Sequence, residues 1–134
     1  MMILDAAKGD VCVARRRPTN TPLQSLVMLN DPQFVEPARV WAERLVAASG
    51  QEQDLLAGVF RRLTSRAATA DELQILTLAL QEQRESYRAD PQRAQQTATI
   101  GDRKPAADVD VVEVASWTMV ISMLLNFDEV VRLR

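Results

Sequence analysis

No histidine occurs among the 134 residues, and cysteine occurs once, as Cys12. The first absence removes the commonest metal ligand and the commonest general base. The second excludes an intrachain disulfide and any zinc site built on several thiolates, so no metal site is expected. Covalent haem attachment requires C-x-x-C-H, and a Cys–His nucleophilic pair requires the missing imidazole, so neither is available within this chain. Ser25, Ser49, Ser65 and Ser116 have no histidine to activate them, and no G-x-S-x-G turn is present. Aromatic residues make up only 4% of a chain that is 47% apolar, so the core must be assembled from Leu, Val, Ile, Ala and Met, the composition of packed helices. Strong charge of either sign is missing too. Sixteen basic and eighteen acidic residues leave a net charge of −2 and a pI near 5.2, which gives no global field to attract nucleic acid or an anionic membrane. The most apolar stretch, Val114 to Leu125, is interrupted by Ser116, Thr118 and Ser122 and falls well short of the roughly 20 residues that span a bilayer. Met1 to Asp10 lacks the basic start, apolar run and small-residue cleavage site of a signal peptide, so no export signal is read there.

What the chain does contain is helix punctuation. Residues 1–20 show no sustained period and read as an extended arm; residues 21–134 read as one helical domain. Thr21-Pro22 starts a short helix carrying Leu23, Leu26 and Val27, which ends near Asn30. Asp31-Pro32 starts a second, with Phe34, Ala38, Trp41 and Leu45 on one face and Glu36, Arg39, Glu43 and Arg44 on the other; Gly50 closes it, and Pro37 marks a place for a kink. A third helix from about Glu52 to Thr64 turns Leu55, Leu56, Val59, Phe60 and Leu63 to one side, with Arg61, Arg62 and Arg66 near its negative end. Thr69-Ala70-Asp71-Glu72 fits a capping box, which opens a helix to about Ala89 with Leu73, Leu76, Leu80 and Tyr87 inward. Asp90-Pro91 starts a short helix ending at Gly101, Asp102 to Ala107 forms a loop, and a last helix begins near Asp108. This final helix is apolar nearly all round and belongs at the centre. The result is an all-α fold, an irregular bundle of five or six helices with an extended N-terminal arm.

Three constellations invite a functional reading. Arg15-Arg16-Arg17 suits a phosphate backbone, but the acidic balance and the lack of interleaved aromatics favour a solvated arm, and no nucleic acid partner is assigned. Asp108, Asp110 and Glu113 offer oxygen ligands without the glycine and twelfth-position glutamate of a calcium loop; acidic residues at a helix start are the ordinary reading. Trp41 and Trp117 have apolar neighbours at helical spacing and are assigned to the core.

One segment goes further. Thr19 to Leu45 reads TNTPLQSLVMLNDPQFVEPARVWAERL, and it resembles the C-terminal part of the planctomycetal-type domain of unknown function 1553, whose members carry a nearly identical run. DAAKGDVCVARRRPTNTP (Asp5 to Pro22), FRRLTSRAATADELQIL (Phe60 to Leu76) and EVASWTMVISMLLNFDEVV (Glu113 to Val131) are similar to further parts of that family. The resemblance implies no known activity. It implies a setting, because full-length members are large proteins, exported to the periplasm or cell envelope, that join this domain to others and often to a cytochrome-c-like module. Protein is then the implied partner, either the missing upstream domains or a second copy, met through partly apolar surface.

Within the family segment, Asn20, Gln24, Asn30 and Asp31 flank two helix starts, where their side chains suit a tight inter-helix corner. The competing reading makes them one side of a pocket to which Asn126 and Asp128 also contribute. Functionally, the residues point to a non-catalytic helical interaction or scaffold module that needs no cofactor. The alternative is one wall of an active or ligand-binding site in a larger enzyme acting on an extracellular substrate.

Overall fold

A computed structural model describes residues 32–48, 50–106, 108–127 and 130. Among them are five helices and no strand: α1 (Pro32–Ala48), α2 (Glu52–Thr64), α3 (Ala70–Ala89), α4 (Pro91–Ala98) and α5 (Val111–Leu125). The all-α bundle is as expected. The arm over residues 1–20 and the helix read from Thr21 to Asn30 lie outside the described residues.

Local chemistry accounts for most helix ends. Pro32 opens α1 at a position where a missing N–H costs nothing, and the helix continues through Pro37 without a break. Glu52 and Asp54 begin α2 while Arg61 and Arg62 end it, each sign opposite to the nearby end of the helix dipole. Ser65 then takes the left-handed conformation, φ 61°, usually filled by glycine, and its N–H closes the helix on the Arg61 carbonyl. The capping box at α3 is formed: Thr69 Oγ1 accepts from the Glu72 N–H at 3.3 Å, and the Glu72 carboxylate accepts from the Thr69 N–H at 2.8 Å. Asp90 serves two helices, closing α3 and accepting the Arg93 N–H at the start of α4.

Two boundaries differ from the sequence reading. Helix α4 stops at Ala98, short of Gly101. The last helix begins at Val111 because Asp110, rather than Asp108, accepts the N–H groups of Val112 and Glu113.

Helix α5 is the centre. From Val114 to Leu124 only Met119 and Met123 escape full burial, and α1, α3 and α4 make the broadest contacts with it. Ala38 and Ala42 let α1 approach closely, and Leu56, Val59 and Phe60 of α2, Leu80 of α3 and Trp117, Val120 and Ile121 of α5 complete one core. Each large side chain among them stabilises the fold by about 1.5–3 kcal/mol through burial. Tyr87, Ala94 and Ala115 form a smaller cluster, in which the Tyr87 hydroxyl meets Thr97 Oγ1 at 3.3 Å and the Arg93 guanidinium lies 5.1 Å from the ring centre. Inside α5, Ser116 and Thr118 donate to the carbonyls of Val112 and Val114, so these buried hydroxyls are satisfied within the helix itself.

Arg39 and Glu43 depart from the helical-face reading of α1: their spacing puts them on its polar face, yet they are 0% and 6% exposed. The segment following α4 folds over them, and the contacts it makes supply the physical reason. Trp41 packs against the core while staying half-buried, whereas Trp117 is fully buried within it.

Candidate functional site

The densest polar cluster joins α1 to the segment between α4 and α5. Arg39 donates from Nε to the Ile100 carbonyl at 2.8 Å and from Nη2 to the Arg103 carbonyl at 2.7 Å, while Nη1 pairs with the Glu43 carboxylate. Glu43 also accepts the Ala106 N–H at 3.4 Å, and Glu36 accepts the Arg103 N–H at 2.8 Å. That Arg103 N–H is the main reason the Glu36 carboxyl sits below its ordinary pKa; partial burial opposes it. Gly101 threads the narrowest point with φ +99°, where an added Cβ would overlap the Glu36 carboxylate. Every nitrogen of the buried guanidinium has an acceptor, so the cluster is chemically closed. It clamps the segment after α4 onto α1.

A second cluster ties three helices. Arg84 on α3 grips the Glu113 carboxylate with Nε and Nη2, both at 2.7 Å, and reaches Glu52 with Nη1 at 2.6 Å. Glu113, then Glu52, raise its pKa, against burial that lowers it. Asp110 caps α5 and Glu113 is held by Arg84, which gives two of the three acidic residues of that segment structural tasks. Among the described residues no group of three His, Cys, Asp or Glu side chains is placed to hold a metal ion, and no helix is long and apolar enough to cross a membrane. A third pairing closes the α2–α3 turn. Arg66 forks onto Glu72 at 2.9 and 2.6 Å and lies over the Phe60 ring. The Arg66 contact, followed by the Thr69 N–H, lowers the Glu72 pKa to about 2.

Of the residues assigned to a corner or pocket, the structure places one. Asn126 ends α5, and its Nδ2 donates to the Ser122 carbonyl at 2.9 Å. Among the described residues, its Oδ1 and the Ser122 hydroxyl one turn earlier are both buried without a hydrogen-bond partner. Unpaired buried acceptors and hydroxyls are costly, so this end of α5 carries unmet polar demand. Asn20, Gln24, Asn30, Asp31 and Asp128 lie outside the described residues. Sequence reasoning missed the Arg39 clamp. Its only linear trace is the spacing of Glu36, Arg39 and Glu43, which also describes any solvated helix face.

A shallow groove of about 350 Å³ runs between α2 and α3, with Gln53, Gln74, Thr77 and Gln81 beside Leu73 and Leu78. Large apolar side chains stand exposed in two pairs: Ile75 (65%) with Leu78 (53%) on α3, and Met123 (44%) with Phe127 (37%) at the end of α5.

Residues 1–80 match the model of a family described as a protein of unknown function (DUF1553). The match covers more than half of the chain and takes in the segments around Thr19 to Leu45 and Phe60 to Leu76; Glu113 to Val131 lies beyond it. No curated protein and no solved structure matches.

Proposed function

The chain belongs to the DUF1553 family, and we propose that it works there as a non-catalytic helical module that docks against other domains of a larger protein. The observation that carries this reading is the contrast between its polar and apolar surfaces. Arg39, Arg66 and Arg84 bind carboxylates or main-chain carbonyls of the module itself, whereas Ile75, Leu78 and Met123 are left on the outside and Phe127 is only partly covered, against Phe60. Apolar pairs spaced one helical turn apart are the raw material of an interface. The family resemblance supplies the setting, an exported multidomain protein in which such surface meets neighbouring domains.

Light scattering over a wide concentration range tests the module directly, alone and mixed with the upstream domains of a family member. Complex formation or self-association supports the reading; a strict monomer that ignores the added domains removes it.

A second reading is favoured by the unpartnered Asn126 Oδ1 and Ser122 hydroxyl, which suit one wall of a binding site in a larger enzyme. Alanine substitutions of Asn30, Asp31 and Asn126 separate the two. Lower Tm with unchanged ligand or substrate behaviour supports the scaffold, and the converse supports the site.

A further inference from the structure

We propose that the outer face of α3 receives a basic amphipathic helix, a partner segment whose apolar stripe is flanked by lysine or arginine. This rests on the docking-module reading and names one surface within it, with the chemistry of what binds there. Spacings of three and four residues put Asp71, Ile75, Leu78, Glu82 and Glu85 on one side of the helix. All five are exposed. Ile75 (65%) and Leu78 (53%) are the two most exposed large apolar side chains among the described residues, so this face stands open. From Asp71 to Glu85 the stripe is about 21 Å long at 1.5 Å of rise per residue, which matches four turns of a helix lying alongside. It has relief as well as exposure. Leu78 also lines the groove of about 350 Å³ between α2 and α3, beside Leu73, so an apolar side chain laid against Leu78 has a recess to enter.

Charge identifies the occupant. One carboxylate precedes the apolar pair and two follow it, and among the described residues Asp71, Glu82 and Glu85 have no ion-pair partner. Arginines of the surrounding segments are engaged elsewhere: Arg66 with Glu72, Arg84 with Glu113 and Glu52, and Arg93 with the Tyr87 ring and the Ser86 hydroxyl. Arg88, exposed on α3 itself, lies roughly 100° round the helix from the stripe. An apolar pair bracketed by three free carboxylates calls for cations from outside. The same charges disfavour a second copy as the occupant. If two α3 helices met antiparallel with Ile75 against Leu78, Asp71 of one copy would face Glu82 of the other; if parallel, each carboxylate would face its own counterpart. A neutral helix would leave the carboxylates unused, and an acidic one would be repelled.

The probe is a fluorescently labelled helical peptide with a leucine stripe flanked by lysines, titrated against the full chain and followed by anisotropy. Its control is a scrambled peptide of the same composition, which keeps the charge and loses the stripe. Saturable binding that weakens with salt is expected for the striped peptide, and much weaker binding for the scrambled one. The double reversal Glu82→Lys/Glu85→Lys is expected to weaken it roughly tenfold, because two exposed pairs worth up to about fivefold each are lost together. Ile75→Gln/Leu78→Gln is expected to weaken it by a similar factor, about tenfold, through the apolar contact alone. Both side chains are exposed and glutamine is a good helix former, so Tm should hold in that variant and misfolding is removed as an explanation. Equal binding of the two peptides, full affinity in either double variant, or no saturable binding would each overturn the proposal. So would a dimer that Ile75→Gln/Leu78→Gln dissociates, which would make a second copy the occupant. Docking of upstream domains in the light-scattering experiment would survive any of these results, so failure here leaves the broader module reading separately testable.

Discussion

Arg39 and Arg84 each hold distant parts of the chain together, and they do it in opposite ways. Arg39 is fully buried and spends two of its three nitrogens on main-chain carbonyls of the segment after α4. Arg84 is partly exposed and spends all three on the carboxylates of Glu113 and Glu52. The difference is one of reversibility. Water can replace the partners of Arg84 when they part, whereas the groups around Arg39 would be left desolvated and unpaired. The clamp is therefore a place where the fold has little tolerance, and the three-helix bridge is a place where it has some.

The largest effect should come from removing the buried centre. Arg39→Ala is expected to cost about 3–5 kcal/mol, read as a lower denaturant midpoint, because Glu43 then becomes a buried charge without its counter-ion. Arg39→Lys should recover only part of that, since an ammonium cannot reproduce the planar fork that meets Ile100, Arg103 and Glu43 together. Gly101→Ala attacks the same clamp from the loop. With φ +99° and the Glu36 carboxylate in the way, it is expected to cost on the order of 1–3 kcal/mol and to speed hydrogen exchange at Arg103 and Ala106. Arg84→Ala should cost less, about 1–2 kcal/mol for two partly exposed pairs, and the loss should shrink as salt is added. If Arg84→Ala proved as damaging as Arg39→Ala and insensitive to salt, the two arginines would not differ in this way.

The smallest effect concerns pH. Glu72 and Glu36 both titrate below their ordinary value of 4.5, Glu72 at about 2. A carboxyl whose pKa is depressed by folding contributes stability that is complete above its unfolded pKa. That contribution is lost as the pH falls through its folded value. Tm should therefore decline as the pH drops from about 4.5 towards 2, and Glu72→Gln should flatten that decline while lowering Tm at neutral pH. An unchanged acid profile in Glu72→Gln would show that the Arg66 fork and the cap do not couple folding to protonation.

Much of the fold is legible in the chain because its signals are local. The Thr69 to Glu72 box and the Asp90-Pro91 pair fix helix starts through atoms three residues apart, and both formed where the sequence placed them. The clamp escaped notice for the opposite reason. Arg39 meets partners 61 and 64 residues away, and those partners are carbonyls, which no side-chain pattern records. The apolar spacing of Trp41 points to the core, and nothing in that spacing tells that its ring stays half-buried beneath the Arg62 guanidinium. Asn126 was singled out as a polar residue near a helix end; that its Oδ1 lacks a partner depends on packing around α5 and could not be read from its neighbours in sequence.

Because α1 holds the loop by its main chain, the identities of the clamped residues matter little so long as their number is kept. Ile100 and Arg103 offer carbonyls, Arg103 and Ala106 offer N–H groups, and only Gly101 is required as itself. Substitutions across residues 102–106 should thus drift freely among related proteins while insertions and deletions there are purged, a pattern of fixed length and loose spelling that marks this stretch as a place to graft new side chains without disturbing the bundle beneath.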